Sequence, residues 1–366
     1  MAVPTAFPET VDVSLDVPRP ARRDPRRALL EVGGSVLSSL VLTLLVFHRF
    51  LLSGLLGFLL VWYGGFLVIH WLVVRDFEGE QDASDRLASV LIGTGASVAL
   101  VALIAILYTV VVKGASLIIT TFPGFFIHDL AQVGPQDPAS LSGAKHAIIG
   151  TLEQVLIATA ATVPLAILTA VYLNEIGGRL QQPVRFVVDA MSGVPSIVAG
   201  LFIYNFWVID LDKHFSGIAG SMALVILMLP SVTRTAEEVL KIVPPGLREA
   251  ALALGAPEWR MIAQIVLPTA RTGLVTASIL GVARAVGETA PMLMTAFGSK
   301  VVNLDPTKGP QSDLPTFVYD LIHSAKEVQI QEAWAGALVL IVLVLSLFIL
   351  ARLLAARAAG GRSARR

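Results

Sequence analysis

Eight apolar runs, separated by short polar connections, constrain the fold of this 366-residue chain more than any other feature. A helix needs about 20 mostly apolar residues to cross the hydrocarbon core of a membrane. Seven of the runs are long enough, and the first one is short. Because a backbone inside a bilayer must satisfy its own hydrogen bonds, the runs predict an all-α polytopic membrane protein. The runs cover roughly residues 33–47, 51–74, 88–112, 147–173, 186–209, 216–238, 270–298 and 333–356.

The composition narrows the chemistry that the chain can carry. Hydrophobic residues make up 55% and charged residues 15% of the sequence, a balance that soluble domains rarely reach. Cysteine is absent, which excludes disulfides and thiolate chemistry. No lysine follows a glycine, so there is no Walker A sequence and any ATP must be bound by a partner. The histidines do not cluster, and the sequence predicts no metal site and no catalytic residue.

The N-terminal region allows two topologies. Residues 1–30 are rich in Pro and Arg, lack apolar periodicity and predict a mobile tail. Only the dipeptide His48-Arg49 and its neighbours separate the first apolar run from the second. Residues 33–74 are therefore either a tight helical hairpin or one span preceded by an interfacial segment.

The distribution of basic residues predicts the orientation, because Lys and Arg are enriched in cytoplasmic loops. We placed the N-terminal tail and the polar loop around Glu249 in the cytoplasm and counted eight spans. Nineteen of the 27 Lys and Arg residues then lie inside and seven outside, with Arg284 within a span. A seven-span topology would put the Arg-rich tail outside. We therefore expect eight spans with both termini in the cytoplasm.

Two of the predicted outside segments are long. Residues 113–146 contain an amphipathic stretch, Thr121 to Phe126, which either lies on the membrane surface or packs on the rim of the protein. Residues 299–332 contain several turn formers, and Leu314-Pro315 predicts a short helix that continues through Ile322. Both segments are placed where an external partner could reach them.

The polar loop between the sixth and seventh runs has a defined spacing. We expect a short helix, a turn at Gly255-Ala256-Pro257, and a second helix that Pro257 opens and Pro268 ends. Such a helix-turn-helix element is a rigid projection that another protein can hold. The alternative is an ordinary polar connection. The residues that define the spacing are Glu249, Ala250, Ala251, Gly255, Ile265, Leu267 and Pro268.

Arg284 is predicted near the centre of the span 270–298, and Glu288 follows four residues later on the same helical face. A charge at mid-bilayer costs about 2.5–3.5 kcal/mol on insertion scales, so it should face the protein interior or a water-filled path. The guanidinium group matches oxyanions and stays charged at any working pH. The pair is either an anion contact, with Glu288 as the partner when no anion is present, or a structural ion pair.

Other polar positions within the runs are less specific. Arg234 lies near the cytoplasmic end of its span, where a snorkelling charge is expected, and Asp189 lies in a similar position. Small residues and Pro195 between 191 and 196 favour close helix packing and a kink. Gly287 and Pro291 flank Glu288 and predict a local irregularity.

These features resemble a known family. The loop matches the spacing E-A-A-x3-G-x9-I-x-L-P of bacterial ABC importer permeases, and residues 283–291 read A-R-A-V-G-E-T-A-P, which resembles permease subunits of the phosphate importer. The resemblance implies a six-helix type I ABC permease core over residues 88–357. It also implies that Arg284, Glu288 and Arg234 serve phosphate passage, and that the loop docks on an ATPase subunit.

The resemblance also implies partners and location. The expected partners are a PstC-like permease, a PstB-like ATPase dimer that binds ATP and Mg²⁺, a PstS-like phosphate-binding protein outside the membrane, inorganic phosphate and the lipid bilayer. This chain would hold no cofactor and catalyse no reaction. The expected location is the bacterial plasma membrane.

The chain departs from the resemblance at its N-terminus. The domains expected are a tail over 1–30, an additional membrane segment and linker over 31–87, the permease domain over 88–357, and a basic tail over 358–366. Two other functions stay open. One is a permease for another oxyanion, such as molybdate, sulfate or phosphonate, and the other is a sensor or scaffold subunit that does not translocate phosphate.

Overall fold

The structure is a computed structural model that describes residues 25–50, 54–134, 137–211 and 213–360. Within these ranges the regular secondary structure is helical, which confirms the predicted all-α class. Contacts divide the chain into residues 1–104 and 105–366. Three helices begin in the first part: α1 (Pro25–Phe50), α2 (Leu55–Glu78) and α3 (Glu80–Thr121), which continues into the second part.

Helices α1 and α2 pack against each other as an antiparallel pair. The rings of Phe47 and Phe58 lie 5.3 Å apart near the connection, and the Trp62 Nε1 donates a hydrogen bond to the Val36 carbonyl at 3.3 Å. The first apolar run is thus a helix of a hairpin, one of the two predicted alternatives. Most of the predicted tail lies outside the described residues, but its last part, from Pro25, is already helical.

The second part contains the remaining helices, several of which continue into π turns. The π turns are Tyr172–Ile176 after α5, Tyr204–Asp210 after α7 and Ile262–Val266 between α10 and α11. The helices are α4 (Gly124–Ile127), α5 (Lys145–Val171), α6 (Gln181–Ser192), α7 (Ser196–Ile203), α8 (Gly217–Lys241), α9 (Pro245–Ala253), α10 (Glu258–Met261), α11 (Leu267–Val286), α12 (Ala290–Thr295), α13 (Leu314–Ile322) and α14 (Glu327–Gly360).

Among the described residues, seven helices are long and apolar enough to cross a membrane. The predicted span 186–209 is broken at the kink expected near Pro195: α6 and α7 meet at 107°. The eighth span exists only if this pair is counted as one. The break occurs at Gly193-Val194-Pro195, where the residue before a proline is disfavoured in helical conformation.

The span predicted over 270–298 is interrupted at the irregularity that was expected around Glu288. Helix α11 ends at Val286, and α12 starts again at Ala290 with Pro291 in its first turn. Proline lacks an N–H and clashes with the preceding helical turn, so it is tolerated at a helix start and not in the middle. Arg284 therefore lies in the last turn of α11 and not near the centre of a span.

Helix α8 lies at the middle of the second part, packed against α5 on one side and α11 on another. A Cβ at Gly281 of α11 would overlap the Val232 side chain of α8, so the two helices touch through a glycine. A second such contact joins Gly273 to Val239, and the order of the two contacts makes α8 and α11 antiparallel. Small residues at such crossings let membrane helices approach closely.

The predicted outside segments pack on the helices. Phe125 of α4 is fully buried in a cluster with Leu314 and Phe317 of α13, whereas Phe122 is 70% exposed. Asp313 caps α13: its Oδ1 accepts the Thr316 N–H at 2.9 Å, in a capping box. The short helix predicted from Leu314 is confirmed. The other oxygen of Asp313, Oδ2, is buried and accepts no hydrogen bond from the described residues.

Burial raises the pKa of Asp313 from 3.8 to about 7. Between these two values the unfolded chain ionises Asp313 while the folded protein keeps its proton. The contribution of Asp313 to stability is therefore greatest below about pH 4 and falls as the pH rises to 7. Because one pKa unit corresponds to about 1.4 kcal/mol, the loss over this range is of the order of 4 kcal/mol.

Asp313→Asn should flatten this dependence, because asparagine keeps the N-cap acceptor and never ionises. We expect the melting temperature in detergent to fall less between pH 5 and pH 8 for the variant than for the parent. Asp305→Asn is the control, since hydrogen bonds from Thr307 lower the pKa of that exposed carboxyl. Equal pH dependence of Asp313→Asn and parent would contradict the assignment.

Candidate functional site

The polar loop forms two short helices joined by a tight turn. Helix α9 ends in a Schellman motif: the N–H of Ala256 bonds to the Ala251 carbonyl at 3.1 Å, and that of Gly255 to the Leu252 carbonyl at 2.9 Å. Gly255 has φ of +80°, a conformation that favours glycine. No neighbouring atom lies within 4 Å of a Cβ built there, so only the backbone conformation demands glycine.

The second helix of the loop differs from the prediction at both ends. Pro257 is the N-cap of α10 and not its first residue. Pro268 does not end the helix, because the apolar helix runs without a sharp bend from Glu258 to Val286. The π turn Ile262–Val266 comes directly before Leu267-Pro268. In a π turn each hydrogen bond joins residues five positions apart, in place of four. This wider turn makes room for the proline ring, which would clash with the preceding turn of an α-helix.

The loop has a buried and an exposed face. Ala251, Met261 and Val266 are buried in a cluster with the ends of α5 and α8, and Ile265 and Leu267 pack against it. Glu249, Ala250 and Gly255 are exposed, and Pro268 is half-buried. The exposed face also carries large apolar side chains: Leu254 is 89% and Trp259 63% exposed.

Arg248, which the sequence analysis did not single out, attaches the loop to two membrane helices. Its Nε and Nη2 donate to the Glu175 carboxylate at 2.9 and 2.7 Å. Its Nη1 and Nη2 also donate to the Val243 and Leu240 carbonyls at 2.6 and 3.0 Å. The Glu175 carboxylate raises the pKa of Arg248. No local pattern indicates this pair, because 73 residues separate its members.

Arg284 and Glu288 are brought together, as predicted, but across the end of a helix. The Arg284 Nε lies 3.8 Å from the Glu288 Oε1. The Arg284 side chain is 62% exposed and that of Glu288 18%. The backbone between them turns at Gly287, whose N–H bonds to the Arg284 carbonyl at 3.2 Å. The predicted irregularity around Glu288 is thus present, and it leaves the guanidinium group accessible from outside this chain.

The segment after Glu288 is held by a close helix contact. A Cβ added to Gly200 of α7 would lie 2.7 Å from the Cα of Pro291 in α12. Glu288 also lines a small cavity with Gln154 and Asp313. The Gln154 Oε1 and the Asp313 Oδ2 both lack a hydrogen-bond donor among the described residues. Glu288 therefore lies between Arg284, its ion-pair partner, and a small cavity that contains these two unpaired acceptor oxygens.

Arg234 forms an ion pair with Asp189 of α6, and both side chains are about half exposed. Its neighbour on α8, Glu237, accepts a hydrogen bond from Arg185 of α6 at 2.6 Å and is only 3% exposed. Two ion pairs thus hold the half of the broken span before the bend against α8. The sequence analysis named Arg234 and Asp189 separately and did not predict that they pair.

The two candidate arginines lie on neighbouring helices. Arg284 comes three residues after Gly281, and Arg234 two residues after Val232, at the same crossing of α11 and α8. Because the helices are antiparallel, the two arginines lie on opposite sides of this crossing. They are separated by a rise of about 7–8 Å along the axes. Each arginine has one carboxylate partner and is partly exposed.

Comparisons with known proteins identify the family to which this chain belongs. The family described as binding-protein-dependent transport system inner membrane component matches residues 162–360. Phosphate transport system permease protein PstA 1 of Mycobacterium tuberculosis (strain CDC 1551 / Oshkosh) is 38% identical over 284 residues, 77% of this chain and 92% of that protein. The PstA protein of Pasteurella multocida (strain Pm70) is 38% identical over 250 residues, 68% of this chain and 86% of that protein.

One solved structure of the inward-facing MetNI methionine ABC transporter aligns with 59% of this chain and 94% of its own chain. The sequence identity is 21% and the TM-score 0.45. A multi-pass bundle that carries the polar loop defines a membrane component of a binding-protein-dependent transporter. Within this class, the chain belongs to the PstA family of phosphate transport system permeases.

Gly200→Ala should destabilise the protein, because its new methyl group would overlap Pro291. Overpacking of this kind costs about 1–3 kcal/mol. Gly193→Ala is the matched control, since a Cβ there is 3.5 Å from the Ala190 carbonyl oxygen, an ordinary contact. Thermal unfolding in detergent should show a lower melting temperature for Gly200→Ala than for Gly193→Ala. Equal melting temperatures would mean that α7 and α12 are not in close contact.

Proposed function

We propose that this chain is the transmembrane permease subunit of an ATP-driven importer that moves inorganic phosphate across the bacterial plasma membrane by alternating access. One observation carries the proposal. A chain of the PstA family places Arg284, 62% exposed and next to one carboxylate, at the end of a membrane-spanning helix. Such a charge is costly within a membrane unless it faces a water-filled path.

The chemistry of the two arginines supports an anion path. The guanidinium groups of Arg284 and Arg234 are planar cations whose donors match the oxygens of phosphate. The carboxylates of Glu288 and Asp189 neutralise them in the absence of an anion. Because each pair remains partly exposed, an incoming phosphate oxygen can reach the guanidinium group and replace the carboxylate. When Asp189 is replaced, the Arg185–Glu237 pair still joins α6 to α8. We assign Arg284 and Glu288 to the substrate pathway, and Arg234 as a second contact.

The polar loop fits the role of the ATPase-coupling element. Its buried face, which includes Ala251, anchors it to the membrane helices, and its exposed face presents Leu254 and Trp259. Tryptophan is one of the residues that most often anchor a protein interface. In the proposed complex, ATP and Mg²⁺ bind to a PstB-like ATPase dimer, and the loop transmits its movement. Alternating access then requires ATP and phosphate to favour different conformations.

The remaining assembly follows from the same proposal. Arg284 faces out of this chain, so a PstC-like permease subunit would complete the pathway on that side. A PstS-like binding protein would deliver phosphate to the outer segments. Both termini lie in the cytoplasm in this arrangement, on the side of the coupling loop. The permease domain extends over residues 88–357, with an additional membrane segment over 31–87.

Arg284→Ala should reduce phosphate uptake at least ten-fold. The substitution removes the guanidinium group whose hydrogen bonds replace the water molecules bound to phosphate. Arg284→Lys, which keeps the charge and loses the planar group, should retain part of the activity. The measurement is ATP-dependent uptake of labelled phosphate by the importer reconstituted with its co-purifying subunits. Arg352→Ala, which changes an exposed arginine of α14, is the control and should leave uptake unchanged.

The same vesicles distinguish the other functions. Competition by molybdate, sulfate or phosphonate that exceeds competition by unlabelled phosphate would identify another oxyanion as substrate. Assembled complexes that hydrolyse ATP but accumulate no anion would identify a sensor or scaffold subunit. Full uptake by Arg284→Ala would remove this arginine from the pathway.

Gly255→Val should uncouple ATP hydrolysis from phosphate uptake. A β-branched residue at φ of +80° is strained by about 1–2 kcal/mol, so the turn between α9 and α10 would rearrange. Gly246→Val is the matched control, because a Cβ at either glycine meets open space and only Gly255 has positive φ. The readout is ATP hydrolysed per phosphate accumulated. A ratio equal to that of Gly246→Val would contradict a coupling role for the turn.

A further inference from the structure

The side chain of Arg248 joins the polar loop to the membrane helices through hydrogen bonds. Four bonds leave one guanidinium group: two reach Glu175, and two reach the carbonyls of Leu240 and Val243. Leu240 lies in the last turn of α8, and Val243 lies in the connection to α9. One side chain of α9 therefore binds the ends of two membrane-spanning helices.

Glu175, which accepts two of these hydrogen bonds, is itself held in place by its neighbours. Glu175 lies in the π turn that ends α5, and its side chain is only 3% exposed. Its Oε1 also accepts a hydrogen bond from the Asn174 side chain at 2.6 Å. The same turn is fixed by Gln181, whose Nε2 donates to the Leu173 carbonyl at 2.7 Å. A displacement of Glu175 therefore moves the end of α5 with it.

The rest of the contact between α9 and the membrane helices is apolar. Ala251 is buried beside Leu240 and Val171 in a cluster of aliphatic side chains. Apolar contacts are non-directional, so such a surface can slide when the loop is pushed. A bidentate Arg–carboxylate pair has a defined geometry and resists both sliding and rotation. The Arg248–Glu175 pair is thus the directional part of the attachment.

We propose that Arg248, paired with Glu175, is a positioning residue that transmits movement of the coupling loop to α5 and α8. This inference rests on the proposed function, since it assigns the path by which the loop moves the membrane helices. Loss of the pair leaves the loop packed on its apolar cluster and free to move without the helices. ATP hydrolysis then continues while fewer phosphate ions are transported per ATP.

If the pair had a purely structural role, coupling would recover whenever stability recovers. A double variant therefore separates the structural role from the positioning role. Removing one partner leaves a buried charge without its counter-ion, which destabilises a protein whatever the role of the pair. Replacing both partners by apolar residues of similar volume removes this penalty. Arg248→Met combined with Glu175→Leu should therefore restore the melting temperature that either single substitution lowers, but it should not restore coupling.

The experiment uses the importer purified with its co-purifying subunits and reconstituted in phospholipid vesicles. The readouts are the melting temperature and the ATP hydrolysed per labelled phosphate accumulated. We expect this ratio to rise at least five-fold for Arg248→Gln, Glu175→Gln and the apolar double variant. Arg248→Lys, which keeps a single point charge, should give an intermediate ratio. Lys241→Gln, which breaks an exposed ion pair with Glu238 at the end of α8, is the control and should match the parent.

The experiment distinguishes failure of the positioning role from failure of the proposed function. The positioning role is wrong if the apolar double variant hydrolyses as much ATP per accumulated phosphate as the parent. It is also wrong if Arg248→Lys and Arg248→Gln both do so. In either case the pair is only a structural ion pair. If the single substitutions prevent assembly, the double variant and Arg248→Lys still decide between the two roles. Failure of the parent complex to accumulate phosphate at all would refute the proposed function, independently of Arg248.

Discussion

The requirement that every backbone amide and carbonyl within a membrane find its partner inside the protein governs this structure. It explains why the described residues are almost entirely helical, and it makes each interruption informative. The bend after α6 and the gap between α11 and α12 both lie where glycine and proline occur together. These interruptions meet each other, since Gly200 packs directly against Pro291. This chain covers the irregular backbone only in part, because Gly193, Pro195 and Gly287 are exposed.

The arginines described above also have partners inside the protein. Arg248 binds a buried carboxylate and two backbone carbonyls at and just after the end of α8, whereas Arg284 and Arg234 each hold one partly exposed carboxylate. The first arrangement satisfies almost every donor of the guanidinium group and fixes its position. The second leaves donors available. The chain therefore contains arginines of two kinds, one suited to holding helix ends together and the other suited to exchanging its partner.

Apolar run length predicted the membrane helices well, because this signal depends on local composition alone. It placed the helix of Arg284 correctly but extended it too far, since the effect of Gly287 and Pro291 on hydrogen bonding outweighs their apolar character. The loop helices were predicted from Gly255, which does adopt positive φ. Pro268 was misread because a π turn before it accommodates the proline. The Arg248–Glu175 and Arg234–Asp189 pairs depend on tertiary packing, so no local spacing reveals them.

One apolar helix runs from Glu258 in the loop to Val286, with Arg284 in its last turn. Its 29 residues make a rod about 43 Å long at 1.5 Å per residue. A lever of this length enlarges small angles: a tilt of about 5° at the loop displaces the far end by roughly 4 Å, more than the length of a hydrogen bond. The guanidinium group at its tip can thus change partners when α11 tilts together with α8, which it contacts at Gly281.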